Sequence, residues 1–174
     1  TIRVIMPEST RAATKMLPNI EYAPSNPSGS FGRSALGEFF AACDWADHVL
    51  LAGDFGKNSE TTTLLDGYLL KMPAPTTTAR GALPSIGVPL DQLMQRSLVL
   101  ELDFSWLQKL VTAMGSTTPL TSTTPYNVRA EILHNISLDT KAVVMARVAP
   151  GTTLIFSDGK VIEHHGKSDD NIAA

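Results

Sequence analysis

Two rhythms of apolar positions run through this chain. In SETTTLLDGYLLKM (59–72), Leu64, Leu65, Tyr68 and Leu69 recur at the three- and four-residue spacing of one helix face. Ser59 is read as its N-cap, which places Glu60 in the first turn, where its charge complements the helix dipole. Ala35, Leu36, Phe39, Phe40 and Cys43 follow the same spacing in SALGEFFAACDWA, with Ser34 as N-cap, as do Val128, Ile132 and Ile136 in YNVRAEILHNISL. FSWLQKLVTAMG is a further helix that Gly115 closes. Residues 8–17, stopped by Pro18, and LDQLMQ supply two short helices.

Short β-branched and apolar runs stand between these segments. TIRVIMP (1–7) is expected to be a buried strand that ends at its proline, and residues 47–53 (DHVLLAG) and 97–102 (SLVLEL) are also strands. KAVVMARV supplies another, and TTLIFSDGKVIEHH folds about Asp158-Gly159 as a hairpin. YAPSNPSGSFG (22–32), PAPTTTARGALPSIGVP and STTPLTSTTP (116–125) are read as loops from their Pro, Gly, Ser and Thr content. Strands thus alternate with helices and end in a hairpin, which predicts a single α/β domain over residues 1–174 with a mainly parallel sheet.

Composition narrows the function classes. The chain has 174 residues, 43% apolar and 18% charged, a balance that builds a core rather than a disordered coil. The net charge is -3 and no block of Lys or Arg stands out, so a broad basic face for nucleic acid is not expected. No apolar run approaches the roughly 20 residues of a membrane helix. Cys43 is the only cysteine and is read as a buried, inert thiol; with no signal-peptide pattern, a reducing, cytoplasmic setting is expected. The chain opens on Thr1 directly into a strand-like run, which reads as a processed, trimmed or partial chain.

The most pointed chemistry lies in HVLLAGDFGKNSETTTLL (48–65), where an apolar run ends in Gly53-Asp54-Phe55-Gly56 before a helix begins. Unpaired N–H groups at a helix start, with glycines that let a ligand approach the backbone, form a ready anion site. The alternative is a strand-to-helix turn that needs glycine only for φ > 0. The Gly-Lys-Ser/Thr ending of a Walker loop and the third glycine of a dinucleotide fingerprint are both missing. Asp54 would repel a phosphate unless it held Mg²⁺ or a proton, or unless Lys57 offset it; a solvated turn carboxylate is the other reading. His164 and His165 follow Glu163, but neighbours on a strand point to opposite faces and cannot share one ion. His48 and His134 are read as structural.

The order of these features resembles the ribokinase-like family of nucleotide-dependent NAD(P)H-hydrate dehydratases. ADHVLLAGDFGKNSETTTLL carries the strongest likeness: Asp47, Gly53, Gly56 and Thr61 fall on the family's Asp, glycine-rich turn and early helical Thr. Upstream, RVIMPES is similar to the family's strand closing in Pro, and downstream SLVLELDFSWLQKL and KAVVMARVAPGTTLIFSDGKVIEHHG are similar to later landmarks, so the likeness covers nearly the whole chain in order. Departures accompany it. Asp54 replaces a proline, Glu101-Leu102-Asp103 stands for Thr-Pro-His, Trp106 for a glutamate, and Met145-Ala146-Arg147 where a Lys-Gly pair is expected. The family's Gly-x-Gly-Asp motif is either degenerate in KSDDNIA, with Asp170 as the acid, or lies past the last residue, and the opening β-α-β segment has no counterpart before Thr1.

The resemblance implies a three-layer domain of helices on both faces of a sheet, using ADP or ATP, with Mg²⁺ as a further candidate cofactor, to remove water from hydrated NAD(P)H. It implies Asp170 as catalytic acid/base, and Gly53, Asp54, Gly56, Lys57, Asn58, Asp103 and Arg147 as substrate- or nucleotide-binding residues, Asp103 taking the polar role of the missing histidine. The alternative is a non-catalytic nucleotide-binding or scaffold protein of the same fold. A nucleotide and further copies of the chain are the partners expected.

Overall fold

The computed structural model describes residues 1–166. Asp170, the expected acid/base, lies outside the described residues. The chain is α/β, with a two-stranded sheet, a six-stranded sheet and a C-terminal hairpin. It divides into two compact units, Thr1–Thr76 with Gly81–Gly87, and Thr77–Arg80 with Val88–Ala174.

In the first unit, β1 (Val4–Pro7) and β2 (Ile20–Ala23) pair in parallel, Val4 opposite Ile20, on either side of a single helical turn, α1 (Arg11–Thr14). The expected burial of β1 is not found: none of its residues is buried, and Ile2 and Val4 are exposed. A strand with one neighbour in a two-stranded sheet has too little structure around it to be enclosed. The first two residues of β2 precede the predicted loop and its last two overlap it. The unit continues with α2 (Leu36–Cys43), β3 (Val49–Leu51) and α3 (Ser59–Lys71).

Helix α3 holds this unit together. Thr61, Leu64, Leu65, Tyr68 and Leu69 are all fully buried, four of them the residues that the spacing selects. Phe39 of α2 meets Tyr68 edge-on with ring centroids 6.1 Å apart, and Phe40 stacks on it at 6.3 Å. The Tyr68 hydroxyl shares a 2.9 Å hydrogen bond with Thr76 Oγ1, and the buried Cys43 thiol approaches it at 3.6 Å. Burial pushes the Tyr68 phenol well above its ordinary pKa, so the residue stays neutral.

Two caps differ from expectation. Asn58, not Ser59, caps α3: its side chain accepts from the Glu60 N–H at 2.8 Å, and its extended backbone marks the true start. Ser34 caps nothing, because a 3-10 turn over Arg33–Ala35 precedes α2 and Gly32 leads into it.

Strand β4 (Thr76–Thr78) lies inside the predicted Pro- and Thr-rich loop; Thr76 and Thr78 are buried, with Thr77 between them less so. In the second unit β4 is followed by α4 (Leu90–Met94), β5 (Leu98–Asp103), α5 (Phe104–Ala113) and α6 (Tyr126–Leu138). β6 (Val143–Ala149), β7 (Thr152–Ser157) and β8 (Lys160–His165) complete it. β5 and β6 are parallel; β6, β7 and β8 form an antiparallel meander. The hairpin turns on Asp158 (φ 48°) and Gly159 (φ 69°), the two left-handed residues that suit a two-residue loop.

Burial alternates along β5 and through the middle of β6 and β7. Leu98, Leu100 and Leu102 of β5, Val144 and Ala146 of β6, and Leu154 and Phe156 of β7 are buried. Leu107, Leu110 and Val111 of α5 and Ile132, Leu133 and Ile136 of α6 supply the helical side of this core. Helix α5 ends in a Schellman motif at Gly115 (φ 79°): Ser116 N–H donates to Val111 C=O and Gly115 N–H to Thr112 C=O.

Leu64→Ala is expected to cost about 2–5 kcal/mol, as for other enclosed leucines. Tyr68→Phe removes one neutral hydrogen bond and should cost only about 1 kcal/mol. Urea denaturation checks the order; equal losses would mean that the hydroxyl, not the apolar stripe, holds α3.

Candidate functional site

The turn after β3 is built from two left-handed glycines. Gly53 has φ 88° and Gly56 φ 77°, conformations that other residues adopt only with strain. Between them Asp54 Oδ1 accepts the Gly56 N–H at 2.8 Å, an Asx turn that occupies this carboxylate with backbone. The Gly56 carbonyl accepts from Ser85 Oγ at 2.9 Å. Asn58 follows as the cap of α3, and its carbonyl accepts the first helical bond, from Thr62 N–H at 3.0 Å.

The Ser-rich loop before α2 packs against this turn, which the sequence pattern did not anticipate. Asn26, 6% exposed, organises that loop: its Oδ1 accepts from Ser28 N–H, Ser28 Oγ and Ser30 N–H at 2.7–3.1 Å, and its Nδ2 donates to the Phe31 carbonyl. The loop then reaches the turn at three points. Asn58 Nδ2 donates to Ser28 Oγ at 3.3 Å, Phe31 and Phe55 pack with centroids 5.9 Å apart, and Thr61 Oγ1 donates to the Phe31 carbonyl at 2.8 Å. Thr61, the early helical threonine of the resemblance, is therefore a buried joint between helix and loop. Asn-Pro-Ser-Gly chemistry in YAPSNPSGSFG was the available signal, since Asn side chains bond their own backbone two residues on.

The two glycines differ in what surrounds them. A Cβ on Gly53 would meet no atom within 4 Å, so this part of the turn opens to free space. A Cβ on Gly56 would come to 2.7 Å of Ser30 Oγ. Gly53, Asp54 and Lys57 are exposed and Asn58 half-buried, so the structure brings five of the seven expected binding residues into one turn.

Asp103 and Arg147 belong to the second unit. Strand register sets them opposite each other at the carboxyl ends of β5 and β6. Asp103 is the N-cap of α5, its Oδ1 accepting the Trp106 N–H at 2.9 Å and the Ser105 hydroxyl at 2.7 Å. Desolvation opposes its ionisation, but the hydrogen bonds from Trp106 and Ser105 and the charge of Arg80 together outweigh it and hold the carboxyl below its ordinary value. Asp103 is thus an ionised acceptor at neutral pH and has no proton to donate.

Other sequence features find structural places. His164 lies opposite Thr153 and His165 opposite Thr152, both exposed, and His134 Nδ1 is 2.6 Å from the Gly159 carbonyl. Among the described residues no group of three or more His, Cys, Asp and Glu is placed to hold a metal ion, and no helix is long and apolar enough to cross a membrane. The chain has no significant match among protein-family profiles or curated proteins.

Two predictions follow from this geometry. Gly53→Ala and Gly56→Ala should each cost about 1–2 kcal/mol of left-handed strain, since the one close approach, a Gly56 Cβ to Ser30 Oγ, is relieved by rotating that side chain. Urea midpoints check it, and two neutral substitutions would mean that the turn does not hold these left-handed conformations. The Asp103 contribution is fully present above the ordinary carboxylate pKa of 3.8 and is lost as pH falls below it through the lowered folded value. Asp103→Asn, itself a good cap, should therefore flatten the fall in stability below about pH 4. An unchanged acid limb would mean that the cap carries no net charge effect.

Proposed function

We propose that this chain binds a nucleotide at the Gly53–Asn58 turn, as a relative of the ribokinase-like nucleotide-dependent NAD(P)H-hydrate dehydratases. The observation that carries the reading is the turn itself: two left-handed glycines, one facing free space, leading into the capped N-terminus of a thirteen-residue helix. Gly53 allows close approach of a ligand to the backbone, and the α3 dipole favours an anion there. Lys57 supplies countercharge. Asp54, exposed and already bonded to Gly56 N–H, makes the turn better suited to a phosphate accompanied by Mg²⁺ than to a bare one. In the dehydratase reading, ADP or ATP drives loss of water from hydrated NAD(P)H, and Asp170 is the proton-handling group.

A second reading, a non-catalytic nucleotide-binding or scaffold protein of the same architecture, draws support from Asp103. Its carboxylate is committed to capping α5 and stays ionised, so it does not replace a histidine in proton chemistry.

Thermal-shift titration with ATP, ADP and NADPH, each with and without Mg²⁺, tests the binding. A ligand at 100 times its Kd should add about 2.7 kcal/mol of stability. Lys57→Glu, at an exposed position, should reduce the shift at least several-fold without lowering the unliganded melting temperature. No shift with any of these ligands would remove both nucleotide readings and leave the scaffold. If binding is seen, Asp170→Asn separates enzyme from binding module: it should abolish turnover of hydrated NADPH while sparing the shift.

A further inference from the structure

Within the second unit, α6 and the end of α5 border a groove of about 420 Å³, room enough for a small organic molecule. Met114, just past α5, and Val128, Ile132 and Ile136 of α6 give it an apolar floor. Glu131, Asn135 and Asp139 stand beside that floor on the neighbouring ridge of the same helix, one per turn, and all three are exposed.

The charge around the groove has one sign. Glu131 and Asp139 are the ionisable residues that line it, and neither has an ion-pair partner among the described residues. α5 ends at Ala113 and α6 at Leu138, so the negative ends of two helix dipoles border the same space. Neither helix carries a basic residue in its last turn to offset that charge. Four residues of helix rise about 6 Å, so Glu131, Asn135 and Asp139 mark three points in line at about that interval. Carboxylates two turns apart do not enclose one metal ion, whose ligands share a single coordination sphere. We propose that the groove binds a linear polyamine. Its methylene chain lies on the valine and isoleucine floor, and its end ammonium groups donate to Glu131 and Asp139. Asn135 Oδ1 accepts from the inner nitrogen. An extended triamine with three- and four-carbon spacers has its nitrogens at comparable intervals, whereas a four-carbon diamine reaches only one carboxylate together with Asn135. The site does not depend on the nucleotide reading, since none of its residues lies in the first unit.

Titration of the ¹⁵N-labelled full chain with spermidine, in about 0.15 M NaCl to screen diffuse attraction, tests the proposal. Saturable amide shifts are expected at residues 115–118 and 131–139, with a Kd below about 1 mM. Putrescine should bind at least ten-fold more weakly. Glu131→Gln and Asp139→Asn should each weaken spermidine about three- to five-fold, the loss of one exposed ion pair, and together about ten-fold. Both side chains are exposed, and the Asp139 backbone carbonyl keeps its bond from Gln95 Nε2, so the far-UV spectrum should not change. Shifts that do not saturate, or that spread over acidic residues elsewhere, would overturn the proposal. Putrescine binding as tightly as spermidine, or spermidine affinity unchanged in the double variant, would do the same by removing the two-ended site.

Discussion

Enclosure of one side of α3 is the constraint from which the geometry of the first unit follows. Five of its thirteen residues are fully buried, at spacings that leave a single rotation of the helix possible. Turning or sliding α3 by one residue would bring Asp66 or Thr63 into the place of a leucine, a polar burial that costs more than a hydrogen bond returns. The helix start is therefore pinned, and the short chain between Leu51 and Ser59 has to reverse within a few residues. Left-handed backbone at Gly53 and Gly56 is how it does so, and Asp54, Ser85 and Asn58 secure the bends by hydrogen bonding.

The same pinning decides which polar groups remain for a ligand. Thr61 is spent on the Phe31 carbonyl and Asn58 on the Glu60 N–H, while Asp54 gives only its Oδ1 to the Gly56 N–H. What the turn still offers is open backbone at Gly53, an exposed lysine, the second oxygen of Asp54 and a helix dipole. Such a set recognises charge and shape rather than performing proton transfer. Asp103 repeats the theme in the second unit, where hydrogen bonds that order the start of α5 also keep the carboxylate ionised.

Much of this was readable from residue order, and the failures have physical causes. The stripe Leu64, Leu65, Tyr68 and Leu69 and the Asp158-Gly159 hairpin are strong local signals, a helical period and a pair of residues that tolerate positive φ. TIRVIMP looked buried because β-branched runs usually are; its exposure reflects pairing with β2 alone, which local pattern does not encode. β4 was hidden in Pro- and Thr-rich sequence, where three threonines make a strand only because neighbouring structure encloses Thr76 and Thr78. At the turn, the glycines were found by type. The Asn26 loop that braces them was not, since contacts between residues about 30 apart are a product of folding rather than of spacing.

The central claim is that the Gly53–Asn58 turn is a place where a phosphate-bearing ligand rests. The most direct measurement is a titration of ¹⁵N-labelled protein with ADP and Mg²⁺, followed by amide chemical shifts. The account predicts that the largest saturable changes fall on Gly53, Gly56, Lys57 and the first turn of α3. Saturable changes confined to residues outside that turn, or none at all, would contradict it.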